Sequence, residues 1–162
     1  MAKNVEFTLD RSSIAKAISE LNTYKRYYRR SIQMLNDALV KEGVQIASIK
    51  IVELGAVWSG SLAQSIQGAY SPASGIGVIF TDNPVAFYVE YGTGVVGSQN
   101  PHPDPKGWKY DINSHGEDGW WYWGEWDNNW HWTKGMSSRP FMYETAQELK
   151  SRVHQVARGL GR

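Results

Sequence analysis

Cysteine is absent from the 162 residues, which excludes disulfide staples, thiolate nucleophiles and Cys-ligated zinc, so stability must come from packing. Long apolar runs are missing too. No stretch approaches the ~20 consecutive apolar residues that cross a bilayer, and Met1-Ala2-Lys3-Asn4-Val5-Glu6 lacks the apolar region of a secretory signal. A soluble protein made in a cytosol, without membrane partners, is expected. Net charge is only +1, giving no global pull toward nucleic acid or membrane. Catalytic signatures are equally scarce. There is no Gly-x-Ser-x-Gly elbow and no His-Glu-x-x-His, and Gly75-x-Gly77 precedes a strand rather than the helix a phosphate loop needs. His102, His115, His131 and His154 match no zinc spacing and read as structural or solvated loop histidines. Asp82, Glu90 and Glu125 follow no spacing rule for paired carboxylates. The chain is therefore expected to be no enzyme and to hold no metal or cofactor.

A mass of 18.3 kDa, 41% hydrophobic residues and 13% aromatics describe one packed domain spanning 1–162. Its charges are segregated. Residues 1–50 carry nine Lys+Arg against five Asp+Glu, residues 51–133 two against nine, and residues 134–162 six against two. Such a basic, acidic, basic order favours contact between an acidic body and basic helices, within a subunit or between copies.

Residues 12–54 read as one long helix, because Ile14, Ile18, Leu21, Tyr28, Ile32, Leu35 and Leu39 step by threes and fours with only Lys25 interrupting. Ser12 or Ser13 can cap its start, and Gly43 marks a possible bend. At 1.5 Å per residue such a helix approaches ~60 Å, so part of it projects beyond a compact body. Sheet and loops are expected over 55–133. Within them lie a short helix with capping-box spacing between Ser61 and Gln64, a strand at 75–81, a turn at Asp82-Asn83-Pro84, an apolar run at 85–91 that is strand or one to two helical turns, and a loop from 92 to 107. Seven of the eight tryptophans fall within 108–133. Trp121 and Trp123 alternate with period two, as do Trp130 and Trp132 beyond the turn-like Asp127-Asn128-Asn129, which predicts a β-hairpin. Met142, Ala146, Leu149, Val153, Val156 and Leu160 predict a last helix over 138–158, with Pro140 in its first turn and Gly159 past its end. The fold class is α+β: a small, mostly antiparallel sheet packed by the two helices, with a Trp-rich hairpin insertion.

Two surfaces stand out as candidate interfaces. Tyr24-Lys25-Arg26-Tyr27-Tyr28-Arg29-Arg30 interleaves cations with aromatics. Arg26, Arg29 and Arg30 lie mostly off the apolar stripe, so a solvated or subunit-facing basic surface is the simpler account, with non-specific DNA contact the alternative. Trp121, Trp123, Trp130 and Trp132 suit core or subunit packing, with a sugar-stacking platform the alternative.

Three stretches together resemble the tail-completion, or head–tail joining, proteins of long-tailed double-stranded DNA bacteriophages. Ser59-Gly60-Ser61-Leu62-Ala63-Gln64-Ser65-Ile66 is similar to that family's Thr-Gly-x-Leu-x-x-Ser-Ile element, with serine for threonine. Ala86-Phe87-Tyr88-Val89-Glu90-Tyr91-Gly92-Thr93 is similar to its Ala-rich turn running into Val-Glu-x-Gly-Thr, and Pro140-Phe141 to the Pro-Phe that opens its last helix. The chain departs from the family in lacking a proline within Ala56-Val57-Trp58 and in its 93–133 insertion. The resemblance implies a structural virion protein of the neck, synthesised in the host cytoplasm. It would form a hexameric or dodecameric ring of identical subunits that joins head to tail and meets other connector, neck and tail proteins. A tail terminator or minor tail protein of the same particle is the nearest alternative, and a Trp-rich carbohydrate-binding module the more distant one. The motif residues are expected to act structurally: Gly60 and Gly92 at element ends, Glu90 holding the turn before Thr93 by accepting nearby N–H groups, and Phe141 anchoring the last helix on the sheet.

Overall fold

A computed structural model describes residues 8–57 and 59–160; Trp58, just before the first motif, lies outside them. Helix α1 (Arg11–Glu53) runs unbroken for 43 residues. Its cap is Asp10 rather than Ser12 or Ser13, since the Asp10 carboxylate accepts the N–H groups of Ser12 at 3.0 Å and Ser13 at 2.9 Å. The Ser12 hydroxyl first, then Thr8 and the Ser13 N–H, hold that carboxyl well below the usual carboxylate range.

Gly43 does not interrupt the helix. A Cβ at this position would lie 2.1 Å from Ile79 Cδ1 and 2.8 Å from Leu149 Cδ1, so the missing side chain lets a strand and the last helix close on α1 at one level. Propensity and packing therefore oppose each other here. Gly43→Leu should improve the helix locally yet destabilise the subunit by about 1–3 kcal/mol through overpacking. Urea denaturation checks it, and a gain in stability would refute the crossing.

After α1 come α2 (Ser61–Gln64), strands β1 (Gln67–Ser71) and β2 (Ile76–Phe80), α3 (Ala86–Tyr91), α4 (Gly94–Gln99), strands β3 (Trp120–Gly124) and β4 (Asn129–Thr133), the two-residue β5 (Gly135–Met136) and α5 (Phe141–Leu160). The class is α+β, with two separate two-stranded antiparallel sheets, β1-β2 and β3-β4, where one small sheet was expected. The apolar run before Gly92 resolves as helix α3.

Three local expectations are corrected, and one strand, β1, carries no signal of its own in the sequence. Strand β1, Gln-Gly-Ala-Tyr-Ser, has little β-propensity of its own and exists because it pairs with β2 and packs on α1. The segment 94–99 is helix rather than loop, because its leading N–H groups find distant acceptors, Gly94 N–H on Tyr110 O at 2.6 Å and Val96 N–H on Lys134 O at 3.2 Å. No capping box forms at α2, whose cap is Gly60 in the left-handed region (φ 77°), with Ser61 one residue inside the helix. Gly159 lies within α5 rather than past its end.

Ala47, Ile51, Ala56, Leu62, Ile66, Ala86, Val89 and Phe141 form the core, flanked by Val44, Ile79, Met136 and Met142. Phe141, with no exposed surface, anchors α5 among α1, α2 and α3, and the sheet contributes only Ile79 at the margin. Ion pairs between α1 and α5 surround this seam: Lys50 reaches Glu148 at 3.2 Å and Glu144 at 3.7 Å, and Arg152 meets Glu42 at 2.6 Å. Lys50 and Arg152 are thus answered mainly by carboxylates of the basic ends themselves, with Glu53, at the edge of the acidic middle, 2.8 Å from Lys50. Among the described residues no helix is long and apolar enough to cross a membrane.

Candidate functional site

The three motif stretches all contribute to the core, and Glu90 joins the second to the third. Its backbone lies in the last turn of α3, while its buried carboxylate crosses to the start of α5 and accepts the N–H of Met142 at 2.8 Å and of Tyr143 at 2.9 Å. These are two of the four donors a helix start leaves unpaired, and a negative charge there also complements the helix dipole. Glu90 therefore does not hold its own turn. It caps a helix more than 50 residues away.

His102, buried beside it, faces Glu90 Oε1 through Nε2 at 3.1 Å, while its Nδ1 accepts the Asp104 N–H at 2.9 Å. That second bond places the ring proton on Nε2, so His102 donates to Glu90. The prolines around His102 hold it in a tight loop, and aromatic rings close over the pair: Tyr91 at 4.5 Å from the imidazole, Tyr143 edge-on at 5.3 Å, and Trp108 stacked on Tyr91 at 4.9 Å. Both ring nitrogens of His102 are thus engaged within the subunit.

Gly92, at φ 81° and ψ 169°, turns the chain between α3 and Thr93. Its carbonyl accepts the Trp108 indole N–H at 2.9 Å, the Thr93 hydroxyl accepts the Met136 N–H at 3.2 Å, and the Ser138 hydroxyl donates to the Glu90 carbonyl at 2.5 Å. Thr93 and Met136 also form an antiparallel bridge. The first motif is equally structural. Ser59 Oγ donates to Ser61 Oγ at 2.8 Å, Ser65 Oγ lies 2.6 Å from Thr81 Oγ1, and Leu62 and Ile66 are buried. Pro140 precedes α5, and its carbonyl accepts the Glu144 N–H at 2.9 Å.

The other loop histidines each keep a private carboxylate. His115 Nδ1 is 3.1 Å from Asp111 and its ring stacks on Trp120 at 4.3 Å. His131 Nε2 is 3.0 Å from Asp127, with Trp126 stacked at 4.6 Å. The His115 and Gly116 N–H groups hold the Asp111 carboxyl below its ordinary value. Among the described residues no three His, Asp or Glu side chains converge as a metal site would require.

The two candidate interface sets stay apart within the subunit. Every residue from 21 to 34 is exposed, including Arg26, Arg29, Arg30 and the apolar Leu21, Tyr24, Tyr28 and Ile32. On the hairpin, Trp121 pairs with Trp132 and Trp123 with Trp130 across the strands, edge to face at 5.4 Å and 5.5 Å. All four occupy one face and remain 47–60% exposed. The opposite face carries Trp120, Tyr122, His131 and Thr133. Trp120, Tyr122 and Thr133 line a cleft of about 860 Å³, whose other walls include Leu62, Tyr88 and Tyr110. Sequence reasoning missed this cleft and the ring cluster over Glu90, since their aromatics come from segments far apart in the chain: Tyr88 and Tyr91 from α3, Trp108 and Tyr110 from the loop, Trp120 and Tyr122 from β3, and Tyr143 from α5. The chain matches no family model, no curated protein and no solved structure.

Proposed function

We propose that the protein is a structural subunit of a phage neck, of the tail-completion or head–tail joining kind, and that identical copies close into a hexameric or dodecameric ring between head and tail. The observation that carries this reading is the run of exposure from residue 21 to 34. A helix of that kind, with an apolar stripe and four cations facing water, is marginal alone and gains its stability from a partner. The second exposed surface, the tryptophan face, differs chemically from the arm, and two unlike surfaces on one subunit suit the heterologous contact from which rings are built.

Glu90, Gly92, Thr93 and Phe141 serve the fold rather than a reaction, which agrees with a protein that makes no bonds. Such a subunit is made in the host cytoplasm and resides in the virion, where it meets other connector, neck and tail proteins. A tail terminator or minor tail protein is the neighbouring reading. A carbohydrate module is disfavoured, because indoles tilted 66° and 73° to one another make no flat platform for a sugar ring.

Light scattering and negative-stain microscopy of the purified protein over a concentration series test the reading. Closed rings of uniform size are expected. A monomer at every concentration, with indole fluorescence quenched by oligosaccharide, would replace it with the carbohydrate reading.

A further inference from the structure

We infer that the arm of one subunit, at residues 21–32 of α1, seats on the four-tryptophan face of the β3-β4 hairpin of a second copy of this chain. The inference rests on the ring reading above and names the contact that would build the ring.

The arm presents Lys25, Arg26, Arg29 and Arg30, none of which makes an ion pair among the described residues, beside exposed Leu21, Tyr24, Tyr28 and Ile32. Among the described residues, the one polar side-chain contact of that group is Arg26 with the Thr23 hydroxyl at 3.3 Å. The hairpin presents the complement. Four half-exposed indoles offer an aromatic surface on the order of 500 Å², as large as the greatest apolar patch of a typical monomer. Glu117 and Asp118 lie just before β3 in the chain and Glu125 just after it, all three exposed and without ion pairs among the described residues.

Guanidinium and ammonium groups bind indole faces through the ring quadrupole, and the attraction grows when water is excluded. Carboxylates at the rim then select cations and fix the register. The dimensions agree as well. Twelve residues of helix span about 18 Å, and a five-residue strand spans about 17 Å. Duplex DNA would also take the arginines, but it leaves the apolar stripe and the tryptophan face uncovered. A second copy covers both.

The test compares four full-length proteins by sedimentation velocity at physiological salt: wild type, the arm variant Arg26→Glu/Arg29→Glu/Arg30→Glu, the hairpin variant Glu117→Lys/Asp118→Lys/Glu125→Lys, and the chain carrying both sets. Circular dichroism and thermal melting confirm that each folds. Each single set should weaken assembly roughly tenfold or more, through like charges placed opposite one another. The combined chain, with its charges exchanged, should recover assembly.

Normal assembly of the arm variant overturns the inference and leaves the ring reading standing. Loss in both single sets without recovery in the combined chain also overturns it, because the two surfaces then serve different contacts. A wild-type monomer at every concentration overturns both readings. Tight binding of the wild type to a duplex oligonucleotide, with a steep salt dependence abolished in the arm variant, assigns the arginines to DNA instead.

Discussion

Glu90→Ala is expected to destabilise the subunit by about 3–5 kcal/mol, the range found when one partner of a buried, hydrogen-bonded charged group is removed. Three donors lose their acceptor at once: the N–H groups of Met142 and Tyr143 and the His102 ring N–H. None of them can turn to water without opening the aromatic cluster of Tyr91, Trp108 and Tyr143. For a chain of this size such a loss lowers the melting temperature by roughly 10 °C. Glu90→Gln separates shape from charge. It keeps one acceptor oxygen but places an NH₂ group against a donor, so a smaller loss of about 1–3 kcal/mol is expected. Hydrogen exchange supplies the local reading: protection of the Met142 and Tyr143 amides should fall first, ahead of mid-α5. Wild-type melting of Glu90→Ala would show that α5 does not depend on this distant cap.

Gly92→Val should cost at least as much, about 3–5 kcal/mol, because two independent penalties combine. A φ of 81° with ψ 169° belongs to a region open essentially to glycine alone, which a β-branched residue enters at about 1–3 kcal/mol. Space is the second obstacle. A Cβ would stand 2.7 Å from Ser138 N and 2.8 Å from Met136 O, and these are backbone atoms fixed by the Thr93 and Met136 bridge, so they have no rotamer by which to yield. Gly75→Ala is the control. Its φ of 71° is also positive, but nothing lies within 4 Å of the added carbon, so it should lose only about 1 kcal/mol. Equal losses at the two positions would mean that dihedral strain alone matters and that the packing of 136–138 over Gly92 does not.

Much of this architecture was legible from local pattern. The period of the apolar stripe marked α1 and α5 to within a few residues, because a helix is held by bonds four residues apart and declares itself over any short window. The tryptophan hairpin was legible for the same reason: its cross-strand partners lie within 14 residues of one another, joined by one turn. Glu90, Gly92 and Phe141 were marked by motif as structural. Their partners were not.

The sequence by itself determined the long amphipathic helix and its projection, the last helix, the period-two tryptophans, the segregation of charge and the absence of recognisable catalytic spacing. Each depends on residues near one another in the chain. Only the tertiary structure decided that β1 is a strand, that 94–99 is a helix and that Gly43 is a crossing point. It likewise decided that Phe141 sits among helices and that Glu90 caps α5 with His102 behind it. In every one of these cases the deciding atom belongs to a distant segment: β2 for β1, Tyr110 and Lys134 for α4, Ile79 and Leu149 for Gly43, Met142 and Tyr143 for Glu90. A backbone N–H takes whichever acceptor the folded chain brings within reach, and a glycine is needed wherever another segment approaches. Neither choice leaves a local trace, because the partner is brought there by the packing of the core.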